Sequence, residues 1–164
     1  KDHMYAAEFA RMCEDAGADL ITIHGRSRSM MYDGECCYEE IAQAKAAVSI
    51  PVIANGGIFS AKDADTMMER TGADGVMVAR YALENPFIFS ELTGRTIEKN
   101  TLQLLLEQLE LTSVHYDETF TLTYIRKLAS YAMKKKKGTK KYKEGLFQCG
   151  SLEELRGLLI QIFS

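Results

Sequence analysis

The sequence predicts an α/β fold built from parallel βα units over its first 90 or so residues, followed by a small all-helical module. Three observations carry this expectation. Short apolar runs alternate with amphipathic segments of helical length in the first part of the chain. A Gly-Ala-Asp return precedes two of those runs, at Gly17-Ala18-Asp19 and Gly72-Ala73-Asp74. Beyond Pro86 the pattern changes to leucine-rich helical periodicity.

The elements follow in order. An amphipathic helix from Met4 to Ala16 ends at Gly17 and leads into the apolar run Leu20-Ile21-Thr22-Ile23. A polar loop precedes a helix over Tyr38 to Ala47, after which Pro51-Val52-Ile53-Ala54 forms the next strand, closed by Asn55-Gly56-Gly57. A third helix runs from Ala61 to Arg70 with Ser60 as its cap, and Gly75 to Ala79 forms the third strand. Strands this short and apolar read as buried on both faces of a parallel sheet. Helices are expected over 100–118, 120–136 and 151–163, where Leu102, Leu105, Leu106 and Leu109, and then Leu152, Leu155, Leu158 and Leu159, repeat at helical spacing. Ser151 with Glu154 three positions on fits a capping box. The division falls at 1–91 and 92–164.

Three parallel βα units leave both sheet edges unpaired, and a closed barrel of such units needs eight strands. The chain is therefore expected to be part of a larger sheet, completed by further chain or by another polypeptide. Its open edges invite self-association.

Composition narrows the function classes. The 164 residues are 46% hydrophobic and 26% charged, as in an ordinary globular protein, and no apolar run has the length of a membrane span. Lys1-Asp2-His3-Met4 shows no signal-peptide pattern, so a cytoplasmic location and no membrane partner are expected. Cys13, Cys36, Cys37 and Cys149 include no Cys-x-x-Cys pair, adjacent cysteines bridge poorly, and reduced thiols without a bound metal are expected. Residues 1–90 hold 8 Lys/Arg against 14 Asp/Glu, whereas residues 91–164 hold 12 against 9. Seven lysines fall between Lys134 and Lys143. That run suits either a solvated helix end or contact with a phosphate backbone, and composition favours neither.

Chemistry in parallel α/β folds sits at the carboxyl ends of the strands. Three polar clusters stand there: His24-Gly25-Arg26-Ser27-Arg28, Asn55-Gly56-Gly57 and Ala79-Arg80. Glycines admit an anion close to backbone N–H groups, and a helix N-terminus behind them adds partial positive charge. Arg80 adds a guanidinium that can grip the same phosphate in two places. Ordinary glycine turns beside a solvent-facing Arg80 are the plain alternative. His24 is either a packed histidine or a ligand contact, and its place at a strand end beside Arg26 favours the second. His3 and His115 lack such context.

Taken together these clusters resemble the tRNA-dihydrouridine synthases. The stretches that carry the likeness are Ile23-His24-Gly25-Arg26-Ser27-Arg28, Tyr32-Asp33-Gly34, Ile50-Pro51-Val52-Ile53-Ala54-Asn55-Gly56-Gly57-Ile58, Thr71 through Arg80, and Ala82-Leu83-Glu84-Asn85-Pro86-Phe87-Ile88-Phe89. The helical part resembles that family's tRNA-binding domain more loosely, at Ile125-Arg126-Lys127-Leu128 and over Ser151–Phe163. The resemblance implies the last three βα units of a (β/α)8 TIM barrel that binds FMN, uses NADPH, and reduces uridine to dihydrouridine in tRNA. It places His24 beside the isoalloxazine, with Asn55, Gly56, Gly57, Ala79 and Arg80 around the phosphate. Arg26 and Arg28 would orient flavin or substrate. On the helical side it implies RNA contacts from Arg126, Lys127, Lys134, Lys135, Lys136, Lys137, Lys140 and Lys141.

The sequence also departs from the family. Gly57 stands where an acidic residue is usual, and Ala79-Arg80-Tyr81 replaces Gly-Arg-Gly, so Tyr81 is expected to crowd the approach. The family's catalytic cysteine belongs upstream of residue 1, and Cys36 and Cys37 are not expected to replace it. The chain alone is thus expected to be inactive. Two other readings compete: a different FMN barrel of the dihydroorotate dehydrogenase kind, which gives no reason for the helical tail, and a non-catalytic RNA-binding or scaffold module, which would bind no flavin.

Overall fold

In the computed structural model, which describes residues 5–27 and 34–164, the alternation of the first part folds as three helix–strand repeats. They are α1 (Ala6–Asp15), β1 (Ile21–His24), α2 (Tyr38–Ala47), β2 (Val52–Asn55), α3 (Ala61–Thr71) and β3 (Gly75–Met77). His3, Arg28, Tyr32 and Asp33 lie outside the described residues. The chain divides into two compact units, residues 1–81 with 91–94 and residues 82–90 with 95–164.

In the first unit the three strands are parallel in the order β1-β2-β3. Their register aligns His24 with Asn55 and Asn55 with Met77, so one row of side chains crosses the carboxyl end of the sheet. Val52 and Ala54 point to the helix layer and are buried with Ile41, Ala64 and Met67. Alternation then sends His24 and Asn55 to the opposite face. Burial on both faces holds only for β2; Thr22 and His24 of β1 are exposed, because the helices cover one face of that strand. The third strand ends at Met77 rather than Ala79. β2 turns away at Gly56, whose φ of +125° lies outside the strand range, and the ladder stops at the Asn55–Met77 row.

Side chains explain the helix boundaries. Ser60 accepts a hydrogen bond from the Asp63 N–H at 3.2 Å and caps α3, which ends at Gly72 with φ +66°. The aspartate that follows this turn ties the start of β2 to α2. Its carboxylate, on Asp74, accepts the Val52 N–H at 2.7 Å and pairs with Lys45 at 2.7 Å. Near the end of α1, the Glu14 carboxylate accepts the Ser49 N–H and hydroxyl and the Ile50 N–H, fixing the approach to β2.

Two short helices follow, α4 (Tyr81–Glu84) and α5 (Ile88–Thr93), and then α6 (Thr101–His115) and α7 (Glu118–Met133). A 3-10 turn (Thr139–Tyr142), α8 (Lys143–Gln148) and α9 (Leu152–Phe163) complete the second unit. Its core joins Leu105 and Leu109 to Leu122, Ile125, Ala129, Leu146, Leu155, Leu159 and Ile162, so the leucine repeats do face inward. The boundaries differ from expectation where a cap overrides periodicity. Asn100 and Gln103 form a reciprocal capping box, and Asp117 accepts the Phe120 N–H at 2.8 Å, which starts α7 at Glu118. Ser151 caps α9 as expected, but the Glu154 carboxylate accepts the Gly150 N–H at 2.6 Å instead of closing the box on Ser151. Among the described residues no helix is long and apolar enough to cross a membrane.

Candidate functional site

The side-chain row at the carboxyl end of the sheet opens into a small concavity of about 50 Å³. His24, Arg26, Asn55, Gly56, Gly57, Ala79 and Arg80 all line it, with Ile58, Phe59, Met77 and Tyr81. These residues come from three separate stretches of chain, and the parallel register is what brings them together. Among the described residues two guanidinium groups and no carboxylate line the concavity, an arrangement that favours an anion.

Hydrogen bonds fix its walls. The Asn55 side-chain amide donates to the Met77 carbonyl at 2.6 Å, and the Gly25 N–H donates to the Asn55 carbonyl at 2.9 Å. The Arg26 N–H donates to His24 Nδ1 at 3.2 Å, which leaves Nε2 to carry the proton of the neutral ring. Arg26 Nε donates to the Gly34 carbonyl at 2.9 Å, which aims the guanidinium across the site. A methyl on Gly57 would stand 3.4 Å from Arg26 Nη2.

Cys36 packs against the turns that carry this site, a role that sequence reasoning did not give it. Its sulfur lies between two strand-end turns: a methyl group built on Gly25 would meet Sγ at 2.2 Å, and one on Gly56 would meet it at 3.1 Å. The thiol is therefore the packing partner that makes glycine necessary at position 25. Burial pushes the Cys36 thiol above its ordinary value, against the opposing pull of Arg26, so it stays protonated at neutral pH. No sequence signal marks it, because the contact exists only once β1 and β2 are side by side.

Two expectations about the anion site are modified. The N-terminus of α3 already holds a carboxylate, since Asp63 accepts the Phe59 N–H at 3.0 Å and the Ser60 hydroxyl at 2.9 Å. The glycine turn and the guanidinium groups, rather than that helix end, are left to attract an anion. The Tyr81 ring packs edge-on against Phe59, with centroids 5.6 Å apart and planes at 81°, and both line the concavity's rim.

In the second unit the lysine run lies beyond the end of α7. Gly138, at φ +80°, turns the chain, and the buried Thr139 hydroxyl ties the turn to α7 through the Met133 carbonyl at 3.0 Å. Lys134, Lys135, Lys136, Lys137, Lys140 and Lys141 are all exposed. Lys134 pairs with Glu84 at 2.7 Å, and with Lys136, Lys137, Lys140 and Lys143 it surrounds a depression of about 530 Å³. Lys127 is exposed on α7. Arg126 differs, because its half-buried guanidinium donates to the Cys149 carbonyl and so secures the segment before α9. Among the described residues no three His, Cys, Asp or Glu side chains gather as a metal site.

A model of the dihydrouridine synthase (Dus) family matches residues 1–163. The chain is similar to a probable tRNA-dihydrouridine synthase 1 of Synechocystis, 39% identical over 165 residues, covering 96% of this chain and 46% of that protein. It is also similar to a tRNA-dihydrouridine synthase B of Pseudomonas syringae, 34% identical over 152 residues, covering 87% and 45%. A tRNA-dihydrouridine synthase B of Vibrio cholerae is 46% identical over 91 residues, 56% of this chain and 28% of its own length. The chain spans about half the length of the first two of these relatives.

Proposed function

The chain belongs to the dihydrouridine synthase family, and on that premise we propose that it forms the flavin-phosphate and tRNA-binding part of an enzyme that reduces uridine to dihydrouridine in tRNA. The observation that carries the proposal is the convergence of His24, Arg26, Asn55, Gly56, Gly57, Ala79 and Arg80 on one concavity at adjacent parallel strand ends, with two guanidinium groups among them.

The residues present fit FMN. Gly56 and Gly57 both have positive φ and present bare backbone to the concavity, while Arg80 and Arg26 supply charge for a phosphate. His24 borders the same space and is suited to contact the ring system. When bound, the reduced flavin supplies hydride to the uracil ring, and NADPH is the proposed reductant. Asn55, held by the Met77 carbonyl, keeps the glycine turn in place, and Arg26, held by Gly34, closes one side. The proton for the other uracil carbon is assigned to a cysteine outside these 164 residues, so this stretch alone is expected to be inactive. The three parallel strands are read as the last units of a (β/α)8 barrel, and their open edges favour self-association when the stretch is isolated.

For the helical part, over residues 92–164, the proposed partner is tRNA, met by Lys127, Lys134, Lys135, Lys136, Lys137, Lys140 and Lys141. Arg126 contributes to this surface by holding α7 and the Cys149 carbonyl together. The test is incubation of the full-length protein with NADPH and unmodified tRNA, followed by analysis of tRNA nucleosides. Dihydrouridine should appear, and a flavin-loaded, folded protein that forms none would refute the proposal.

A further inference from the structure

The aromatic residues around the start of α7 are arranged in a way that packing does not require. Tyr116, in extended backbone just before the helix, is followed by Phe120 and Tyr124 one turn apart on α7, and the three rings stack as a column. The first pair lies 4.4 Å apart with planes at 24°, and the second 6.0 Å apart with planes at 12°. They remain 57%, 46% and 37% exposed. The buried face of α7 is a different one, made by Leu122, Ile125 and Ala129. At the same helical spacing the outward face continues with Lys127 and Tyr131, and Lys134 Nζ sits 4.5 Å over the Tyr131 ring. Aromatic rings and lysines thus share one stripe that leads into the lysine cluster.

We propose that this stripe is a binding surface for unpaired RNA nucleotides, with bases stacking on the Tyr116–Phe120–Tyr124 column and Lys127 and Lys134 holding phosphates of the same strand. The inference rests on the tRNA reading above and adds to it a mode of contact and a preference. Every base has a face that an aromatic ring can cover, so such a column is tolerant of sequence but needs the base to be out of a duplex. The distance from Tyr124 to Lys134 along α7 is about 15 Å, the reach of a few nucleotides. Three carboxylates stand near the Tyr116 end, yet each is engaged within the protein. Glu110 pairs with Arg156, Asp117 caps α7, and Glu118 accepts the Leu152 N–H. They set the polarity of the surface, with phosphates at the lysine end and bases at the aromatic end.

The test measures binding of the full chain to a short single-stranded RNA and to the same sequence as a duplex, over a range of salt. Wild-type chain should prefer the single strand. Phe120→Ala with Tyr124→Ala should weaken single-strand binding roughly 5- to 100-fold, leave duplex binding unchanged, and keep the salt slope. Phe120→Tyr should retain affinity. Replacing Lys134 to Lys137 by glutamine should reduce the salt slope. If the aromatic pair can be removed without loss while the lysine variant still lowers the slope, the stacking surface is refuted and the lysine reading stands. If neither variant changes RNA binding, both are refuted. Equal loss on single strand and duplex, or a protein ligand whose binding the aromatic variant abolishes while RNA binding persists, overturns the stacking proposal.

Discussion

Replacing Gly25 with alanine places a methyl group 2.2 Å from Cys36 Sγ, against an ordinary nonbonded separation of roughly 3.5–4.0 Å. The backbone at Gly25 is not in the left-handed region, unlike that at Gly56, so the cost is steric alone. Ile41 Cδ1 at 3.2 Å and the Cys37 carbonyl at 3.3 Å block the remaining directions. Overpacking of this kind costs about 1–3 kcal/mol. Removing the sulfur by Cys36→Ala should cost less, below about 1.5 kcal/mol for one half-buried atom. The double variant should then recover about 1–2 kcal/mol of the Gly25→Ala loss, a coupling within the range seen for touching residues. Gly56→Ala offers the contrast: its φ of +125° strains any side chain, so Cys36→Ala should not rescue it. Chemical denaturation followed by circular dichroism, with hydrogen exchange at the Gly25 N–H that donates to Asn55, reads both effects. Equal loss in Gly25→Ala with and without Cys36 would show that the sulfur is not what reserves the position for glycine.

Three further outcomes follow from the hydrogen bonds and the packing. Bonds from Ser49 hold the Glu14 carboxyl below its usual range, as those from Lys45 and Val52 do for Asp74. A depressed carboxylate stabilises the fold above its unfolded value and loses that contribution as pH falls through the folded one. Glu14→Gln should therefore be less stable than wild type at neutral pH, with the gap closing below about pH 4; a gap independent of pH would contradict this. Asn100→Ala removes one half of a complete capping box and should destabilise the helical unit by about 0.5–2 kcal/mol, measured by denaturation, whereas no change would mean that α6 is held by packing alone. Alkylating Cys36 should weaken anion binding at the strand ends by forcing the Gly25 and Gly56 turns apart. Phosphate affinity that survives complete modification would argue against that coupling.

The parallel units and the residues at their strand ends were legible because both are local signals. A short apolar run ends in a polar cluster, and Ser60 or Ser151 announces the helix that follows. Boundaries failed where a cap interrupts an apolar repeat, as at Asp117, since periodicity runs through the break while the hydrogen bond to Phe120 does not. The start of α6 was legible to within one residue, since the helix expected from residue 100 begins at Thr101 behind the Asn100–Gln103 box. Cys36 was not readable as a support of the site, because its role depends on Gly25 and Gly56, residues 11 and 20 positions away, meeting it through the sheet. The same holds for Arg126, whose carbonyl partner is 23 residues distant. Each is a tertiary relation with no local pattern.

The central claim is that the concavity bounded by Gly56, Gly57 and Arg80 takes the phosphate of a flavin. It is tested most directly by titrating the full-length protein with FMN and with riboflavin, which lacks the phosphate, and repeating both with Arg80→Ala. The account predicts that FMN binds more tightly than riboflavin and that Arg80→Ala weakens FMN roughly 10- to 100-fold while leaving riboflavin unchanged. Equal affinity for the two flavins, or FMN binding indifferent to Arg80, would contradict it.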